Sequence, residues 1–417
     1  MDFDSTYRIV TPSEDRRRDV NELLAMGFAE GVAAGDEPIA DAHVPWRFTR
    51  VAEEIATGRY RGDYGAFEMP TIVPGGARVP NLGLTIVSVH PGHRRRGILS
   101  RLIRDHFAVA KRDGAIMSTL WAAEQAIYGR FGYGMIGECL ELSVGRGVTL
   151  APVEGADALS VEIETLEPDT HGPILSHLAA SMDRPGSAAM DAEVLGWYTI
   201  ELPHARGEKE PRRVVVVRDG DEPVAVATFR RESKWEGGVP GDVVRVGFHA
   251  AITPAAERRL WEVLTTIDLS GKVETDMFTP DHPLLRLIGP HRGVVKHVYD
   301  GIWARLLDVE ACMAARAYGA DASVTFSLED EVLPENAGVW RLTCDAGEGG
   351  RIQRVDIPDT EADLALTIQQ LSSVYWGGVT VRSLHQAGQI DERRAGAAAE
   401  LSRALQGDVM PGANFHF

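Results

Sequence analysis

Apolar and polar positions along the chain fall into segments with strand and helix periods. Leu82 to His90 is a nearly continuous apolar run, which predicts a strand. Beyond a basic turn, Leu99, Leu102, Ile103 and Phe107 recur on one face, so a helix is predicted over Gly97 to Arg112, with Asp113-Gly114 ending it. Ala115 to Trp121 reads as a second strand, completing a strand–loop–helix–strand unit. After a Gly- and Pro-containing segment from Gly145 to Gly155 the pattern returns. Val214 to Val217 and Val224 to Arg230 flank Asp219-Gly220-Asp221 as a hairpin. Val243 to Ala251 is another strand, and Thr253-Pro254 caps a helix running to Asp268. In this second unit Ile252-Thr253-Pro254-Ala255-Ala256 stands where the first has a basic, Gly-containing turn. From Ala304 onward the texture changes. Strands at Ser323 to Leu328, Val339 to Cys344 and Gln353 to Ile357 precede a helix expected over Thr360 to Leu371. A Gly377-Gly378 break and a helix ending near Gln406 follow, the grammar of a small α+β domain. The last residues, MPGANFHF, place Phe415 and Phe417 on a tail, which predicts a docked rather than a frayed end.

The 417 residues suffice for about three ordinary domains, in line with these three textures. No run approaches the ~18 apolar residues of a membrane span, and the first twenty residues contain no apolar signal segment, so a cytoplasmic protein is expected. Cys139, Cys312 and Cys344 are isolated, which argues against a disulfide framework or a zinc site. Cys139 lies in a predicted strand without a basic neighbour and is not a nucleophile candidate. His171, His177, His282, His291 and His297 lack metal-motif spacing and read as surface or core residues, so no metal is expected. Lys and Arg number 43 against 61 Asp and Glu, a net charge of −18, which disfavours nucleic acid and anionic membranes as partners and favours cations. Against that background the stretch from His90 to Arg112 is inverted, with seven basic residues and one acid, Asp105. The inversion asks for an anionic ligand.

The turn Pro91-Gly92-His93-Arg94-Arg95-Arg96-Gly97 sits between a strand and a helix start. Free backbone N–H groups and the positive end of the helix dipole converge there. Gly97 lets a phosphate approach the backbone without meeting a Cβ, and the arginines add charge-assisted bonds. No GK[ST] and no GxGxxG is present, which excludes a P-loop and a Rossmann fingerprint. A solvated basic helix face is the plain alternative. Val87-Ser88-Val89-His90-Pro91 with Arg94-Arg95-Arg96-Gly97-Ile98-Leu99 resembles the acetyl-CoA motif of the GNAT N-acetyltransferases, although Leu99 stands where many members have Gly or Ala. Tyr128-Gly129-Arg130-Phe131-Gly132-Tyr133 resembles the family's Y-x-x-x-G-F/Y pattern. The resemblance implies a coenzyme site made by Val87, Ser88, Val89, Arg94, Arg95, Arg96, Gly97, Ile98, Leu99, Ser100, Ala123 and Glu124, with Tyr128 as general acid towards the coenzyme sulfur. A phenol of pKa about 10 suits that role; the plainer reading of Tyr128 is a core tyrosine with a satisfied hydroxyl. Tyr133 reads as packing.

HRRRG together with IYGRFGYG, the three-part chain and the aromatic end resemble more narrowly the Eis (enhanced intracellular survival) acetyltransferases. That resemblance implies an α/β and α+β fold: a GNAT catalytic domain (1–156), a degenerate GNAT-like domain (157–303) that forms a pocket wall without binding coenzyme, and a sterol-carrier-like domain (304–417). It further implies that the α-carboxylate of Phe417 is the general base in the first domain. A free α-carboxyl titrates near about 3.5, so burial beside apolar groups would have to raise it. A hydrophobic plug is the alternative role for the tail. The expected reaction is direct acetyl transfer from acetyl-CoA, as co-substrate, to amines of an aminoglycoside-like polycation by a homo-oligomer, hexameric by resemblance. The competing function is a non-catalytic coenzyme sensor or lipid carrier built on a GNAT relic.

Overall fold

The computed structural model describes residues 3–28, 45–201, 206, 209–290 and 292–417. His291 and the stretches 29–44 and 202–205 of the two expected GNAT-like parts lie outside them. Two seven-stranded sheets and one five-stranded sheet organise the chain. The first runs Tyr7–Val10, Arg50–Glu54, Tyr60–Glu68, Asn81–Val89, Met117–Leu120, Trp303–Leu306, Gly134–Met135. The second runs Ser160–Thr165, Arg213–Asp219, Glu222–Glu232, Asp242–Ala251, Ser270–Phe278, Glu138–Gly145, Val295–Asp300. The two sheets therefore exchange strands. Glu138–Gly145 leaves the first sheet to pair antiparallel with Ser270–Phe278, and Trp303–Leu306 returns to pair with Met117–Leu120. The passage from one sheet to the other thus falls between Met135 and Glu138, inside the stretch that the sequence assigns to the first part. Each exchange protects what would otherwise be an open sheet edge.

The strand–turn–helix units form where the periodicity puts them. Asn81–Val89 leads through the basic turn into the helix Ile98–Arg112, whose buried face carries Leu102, Ile103, His106 and Phe107. In the second half Asp242–Ala251 leads into the helix Pro254–Thr266, capped by Thr253 Oγ1 and buried along Leu260, Trp261 and Leu264. Both units pair their first strand with the next in parallel, as a helical crossover requires.

The third sheet departs from the sequence reading. Thr360 to Leu371 is not one helix: Leu364–Thr367 is a strand, parallel to Ala322–Glu329, and the helix covers only Ile368–Val374. Leu364 and Leu366 alternate inward with a period of two. Thr367 and Gln370 then form a reciprocal capping box, which fixes the helix start. The single helix expected before Gln406 is two, Val381–Gln386 and Ala397–Leu405, separated by the short strand Asp391–Glu392. One apolar core joins Phe67 of the first sheet and Met69 just beyond it, Val194 and Val214 of the second part, and Trp376, Phe415 and Phe417 of the third.

Candidate active site

The parallel pairing of Asn81–Val89 with Met117–Leu120 covers only Asn81↔Met117, Leu82↔Ser118 and Gly83↔Thr119. Beyond Gly83 the two strands diverge into a fork. On its other edge Asn81–Val89 shifts register against Tyr60–Glu68, from Gly65↔Thr85 to Asp63↔Ser88, and Ile86 takes a φ of 47°. A β-branched residue in that region costs on the order of 1–3 kcal/mol, strain that surrounding packing must hold in place. From Leu84 onward the fork-side backbone groups are left without the neighbouring strand, available to an extended ligand.

At the open end of the fork, His90 Nδ1 accepts the Gly92 N–H at 3.0 Å and starts the turn. Arg95 (φ 61°) and Gly97 (φ 81°) both lie in the left-handed region and bring the chain sharply into the helix Ile98–Arg112. A Cβ built on Gly97 would meet nothing within 4 Å; the space before it is open, and the conformation is what calls for glycine. No side chain caps this helix start, so the first-turn N–H groups around Ile98, Leu99 and Ser100 face that space. Arg94 and Arg95 are exposed beside it. Arg96 serves the turn itself, through bonds to the Tyr7 hydroxyl and the Gly92 carbonyl, both 3.3 Å. Tyr7 in turn holds His93 at 2.7 Å. Ser88 is buried, its hydroxyl directed to Asp63, whereas Val87 and Val89 are half-buried along the fork strand. Ala123 and Glu124 are exposed where the other arm of the fork enters the helix Gln125–Tyr128. This cradle of free N–H groups and arginines fits a pyrophosphate with a long extended arm.

Tyr128 and Tyr133 differ in what their hydroxyls meet. Tyr133 is fully buried and its hydroxyl bonds Ser118 Oγ at 2.7 Å, which bonds His106 Nε2 at 2.8 Å. Tyr128 is buried too, but its hydroxyl has no hydrogen bond among the described residues. Burial, helped by the Glu124 charge, pushes its pKa up to about 12, so it carries its proton throughout the neutral range. Tyr128 belongs to the buried apolar cluster that also takes Leu82 and Leu84, from one face of the fork strand.

Phe417 lies on the other face. A Cβ on Gly83 would collide with Met69 and fall 2.8 Å from the Phe417 ring, which places the C-terminal residue against the last paired position before the strands part. Since successive residues of a strand point to opposite faces, Leu82 and Leu84 mark the Tyr128 side and Gly83 the Phe417 side. The tail reaches this point along the second half of the molecule. Met410 N–H donates to Asp281 at 2.9 Å, and Asn414 exchanges two 3.0 Å bonds with the backbone of Ala188. The Tyr198 hydroxyl clamps His416, accepting its N–H at 2.7 Å and donating to its carbonyl at 3.0 Å. The His416 ring sits 4.2 Å from that of Trp121. Burying Phe415 and Phe417 contributes roughly 1.5–3 kcal/mol each. The four side-chain bonds to Asn414 and Tyr198 add about 0.5–1.5 kcal/mol apiece. Together these match the cost of ordering four residues, about 1–2 kcal/mol each. The docked tail predicted from its two phenylalanines is present.

A brace that sequence reasoning missed ties the Tyr128 turn to the third domain. Arg305 and Asp330 are both fully buried and paired through two bonds of 2.8 and 2.6 Å, while Arg305 Nε donates to the Phe131 carbonyl at 2.9 Å. Side chains at Gly132 and Gly134 would collide with Arg305 and with the helix Ile368–Val374, which accounts for glycine at these positions. Asp330→Ala is expected to cost about 3–5 kcal/mol, because it strands a buried guanidinium. Equilibrium denaturation measures it.

Comparison with known proteins identifies the domains that build this fold. Residues 7–136 and 193–316 each match a model of the acetyltransferase (GNAT) domain, and residues 309–411 match a sterol carrier protein domain. An uncharacterized N-acetyltransferase of Streptomyces coelicolor, SCO2625, is 34% identical over 388 residues, covering 90% of this chain and 92% of its own. The N-acetyltransferase Eis of Mycobacterium tuberculosis is 26% identical over 356 residues, 83% of each chain. The solved structure of Eis1 from Mycobacterium abscessus superposes with a TM-score of 0.80 at 25% identity, over 99% of this chain and 100% of that one. The chain belongs to the Eis-like GNAT N-acetyltransferases. It is an acyltransferase with two GNAT folds and a sterol-carrier-like third domain, and GNAT acetyltransferases use acetyl-CoA. Among the described residues no helix is long and apolar enough to cross a membrane. In this Eis-like chain Cys139 is buried and its thiol pushed up to about 12, mainly by burial, in keeping with a structural role.

Proposed function

We propose that this Eis-like enzyme transfers the acetyl group of acetyl-CoA directly to primary amines of a polycationic, aminoglycoside-like small molecule, in the cytoplasm and as a homo-oligomer. The observation that carries the reading is the placement of two residues about the forked strand: Phe417 against Gly83 on one face, and Tyr128 in the apolar cluster that takes Leu82 and Leu84 from the other. In this reading the turn N–H groups at Gly97, Ile98, Leu99 and Ser100, with Arg94 and Arg95, hold the pyrophosphate. The backbone of Val87 and Val89 pairs with the pantetheine arm, and Ala123 and Glu124 border it. The Phe417 carboxylate takes a proton from the acceptor amine as its nitrogen bonds the thioester carbon. Fork-side N–H groups beside Val87 stabilise the developing oxyanion. As the C–S bond breaks, Tyr128 gives its proton to the departing thiolate. No covalent enzyme intermediate is required.

The acceptor class rests on charge. A hollow of about 300 Å³ beside His416 is lined by Glu141, Glu274, Asp276 and Tyr198. Glu274 is matched by Arg245 and Lys272, and Glu141 by Lys296. Asp276, 3.6 Å from His416 Nε2, is left as the acid that a substrate ammonium would meet. Across acceptors with one to five amino groups, KM is expected to fall as charge is added and to rise with ionic strength, as screening predicts. A KM indifferent to both would reject the polycation and leave a neutral amine as acceptor.

A further inference from the structure

The second GNAT-like half has a cavity of its own. It measures about 210 Å³ and lies where Asp242–Ala251 hands over to the helix Pro254–Thr266, the position that the coenzyme turn occupies in the first half. A phosphate site is not retained there. Thr253 Oγ1 accepts the Ala256 N–H at 3.1 Å, and Pro254 removes a donor. Instead the walls present Glu257, His249, His282 and Ser187, with Ala413 and Asn414 of the tail along one side.

Several of these groups carry polar atoms that lack a hydrogen-bond partner or face one another poorly matched. His282 Nδ1 accepts the Leu284 N–H at 3.2 Å, so this nitrogen carries a lone pair. Glu257 Oε1 accepts the Trp261 indole N–H at 2.9 Å and stands 3.6 Å from the same His282 nitrogen. With Glu257 ionised, two acceptors thus face each other, and a donor placed beside both would serve them together. His249, stacked on Phe278 at 4.7 Å, and Ser187 are each more than nine-tenths buried; His249 Nδ1 and Ser187 Oγ have no partner among the described residues. Such atoms cost about 1–3 kcal/mol each when left unmet. Arg184, the cation of the lining, is already engaged by Asp281 at 2.9 Å and the Met410 carbonyl at 2.6 Å. Burial keeps both imidazoles neutral, His249 falling to about 4, and pushes Glu257 up to about 7, where an arriving positive charge would ionise it. Among the described residues no three His, Cys, Asp or Glu side chains are grouped to hold a metal ion. An organic N–H donor fits better.

We propose that this cavity is a second ligand site, taking a small organic ammonium compound through Glu257, His282 and His249, separate from the acetyl-acceptor position. The test uses the full chain, propylammonium as probe and 1-propanol as its neutral isostere, with binding followed by titration calorimetry. Propylammonium is expected to bind, 1-propanol to bind at least tenfold more weakly, and Glu257→Gln to weaken propylammonium at least tenfold. That variant keeps an acceptor for the Trp261 indole, and retained acetyl-CoA binding checks its fold. His249→Phe, which preserves the stack on Phe278, is a second variant with the same expected direction. Ammonium binding at the acceptor fork would survive both substitutions. Propylammonium heats unchanged in both variants, or equal binding of amine and alcohol, would overturn the proposal.

Discussion

Extending the chain by three residues beyond Phe417 is expected to lower the turnover of amine acetylation by about 10²–10⁴-fold, the range that a positioned general base supplies. The terminal carboxylate would be moved, and a peptide bond would replace it beside Gly83, where the Phe417 ring now packs. Affinity for acetyl-CoA should hold, because the turn from His90 to Gly97 is built from residues that the tail does not touch. The pH profile separates a base from a plug. A base must be ionised, so native turnover falls as pH falls through its pKa, and the extended variant loses that acid limb. A plug predicts weaker folding with the limb intact. Steady-state rates from pH 5 to 9, beside thermal melts of both proteins, decide between them.

Tyr128→Phe is expected to reduce kcat by roughly 10²-fold while acetyl-CoA binding changes little. The hydroxyl has no hydrogen bond to lose among the described residues, so the substitution leaves no buried group stranded and stability should hold within about 1 kcal/mol. Its pKa near 12 means that the protonated fraction declines only as pH rises through that value, so no falling limb below pH 10 is expected from this residue. A collapse of coenzyme binding in Tyr128→Phe would assign the residue to structure instead. Tyr133→Phe is the natural control: it breaks the buried Ser118–His106 chain and should cost stability rather than chemistry.

Much of this architecture is legible in local sequence. The apolar run before the basic turn, the helix after it, and the repeat of that grammar near Val243 are dictated by hydrophobic period and by caps. Local pattern does not carry the strand exchange: Glu138–Gly145 and Trp303–Leu306 look like ordinary strands, and their partners are set by pairings more than a hundred residues away. Thr360 to Leu371 misleads for a different reason. Its Leu364 and Leu366 satisfy the strand period, and their pairing with Ala322–Glu329 overrides local helix propensity. The coenzyme turn is legible because glycine and arginine there serve local geometry. Arg305, Asp330 and the tail contacts of Tyr198 and Asn414 are not, since a charged or polar residue in an apolar stretch reveals burial but never its partner. Likewise His249, Glu257 and His282 follow no spacing rule; the fold alone brings them together.

The most direct test of the enzymatic account is thiol release from acetyl-CoA by the full chain, measured with and without an aminoglycoside. Release that depends on the acceptor, with acetylated product formed in equal amount, is the predicted result. Tight acetyl-CoA binding with no release for any amine offered would contradict it and favour a coenzyme-sensing or carrier protein on a GNAT scaffold.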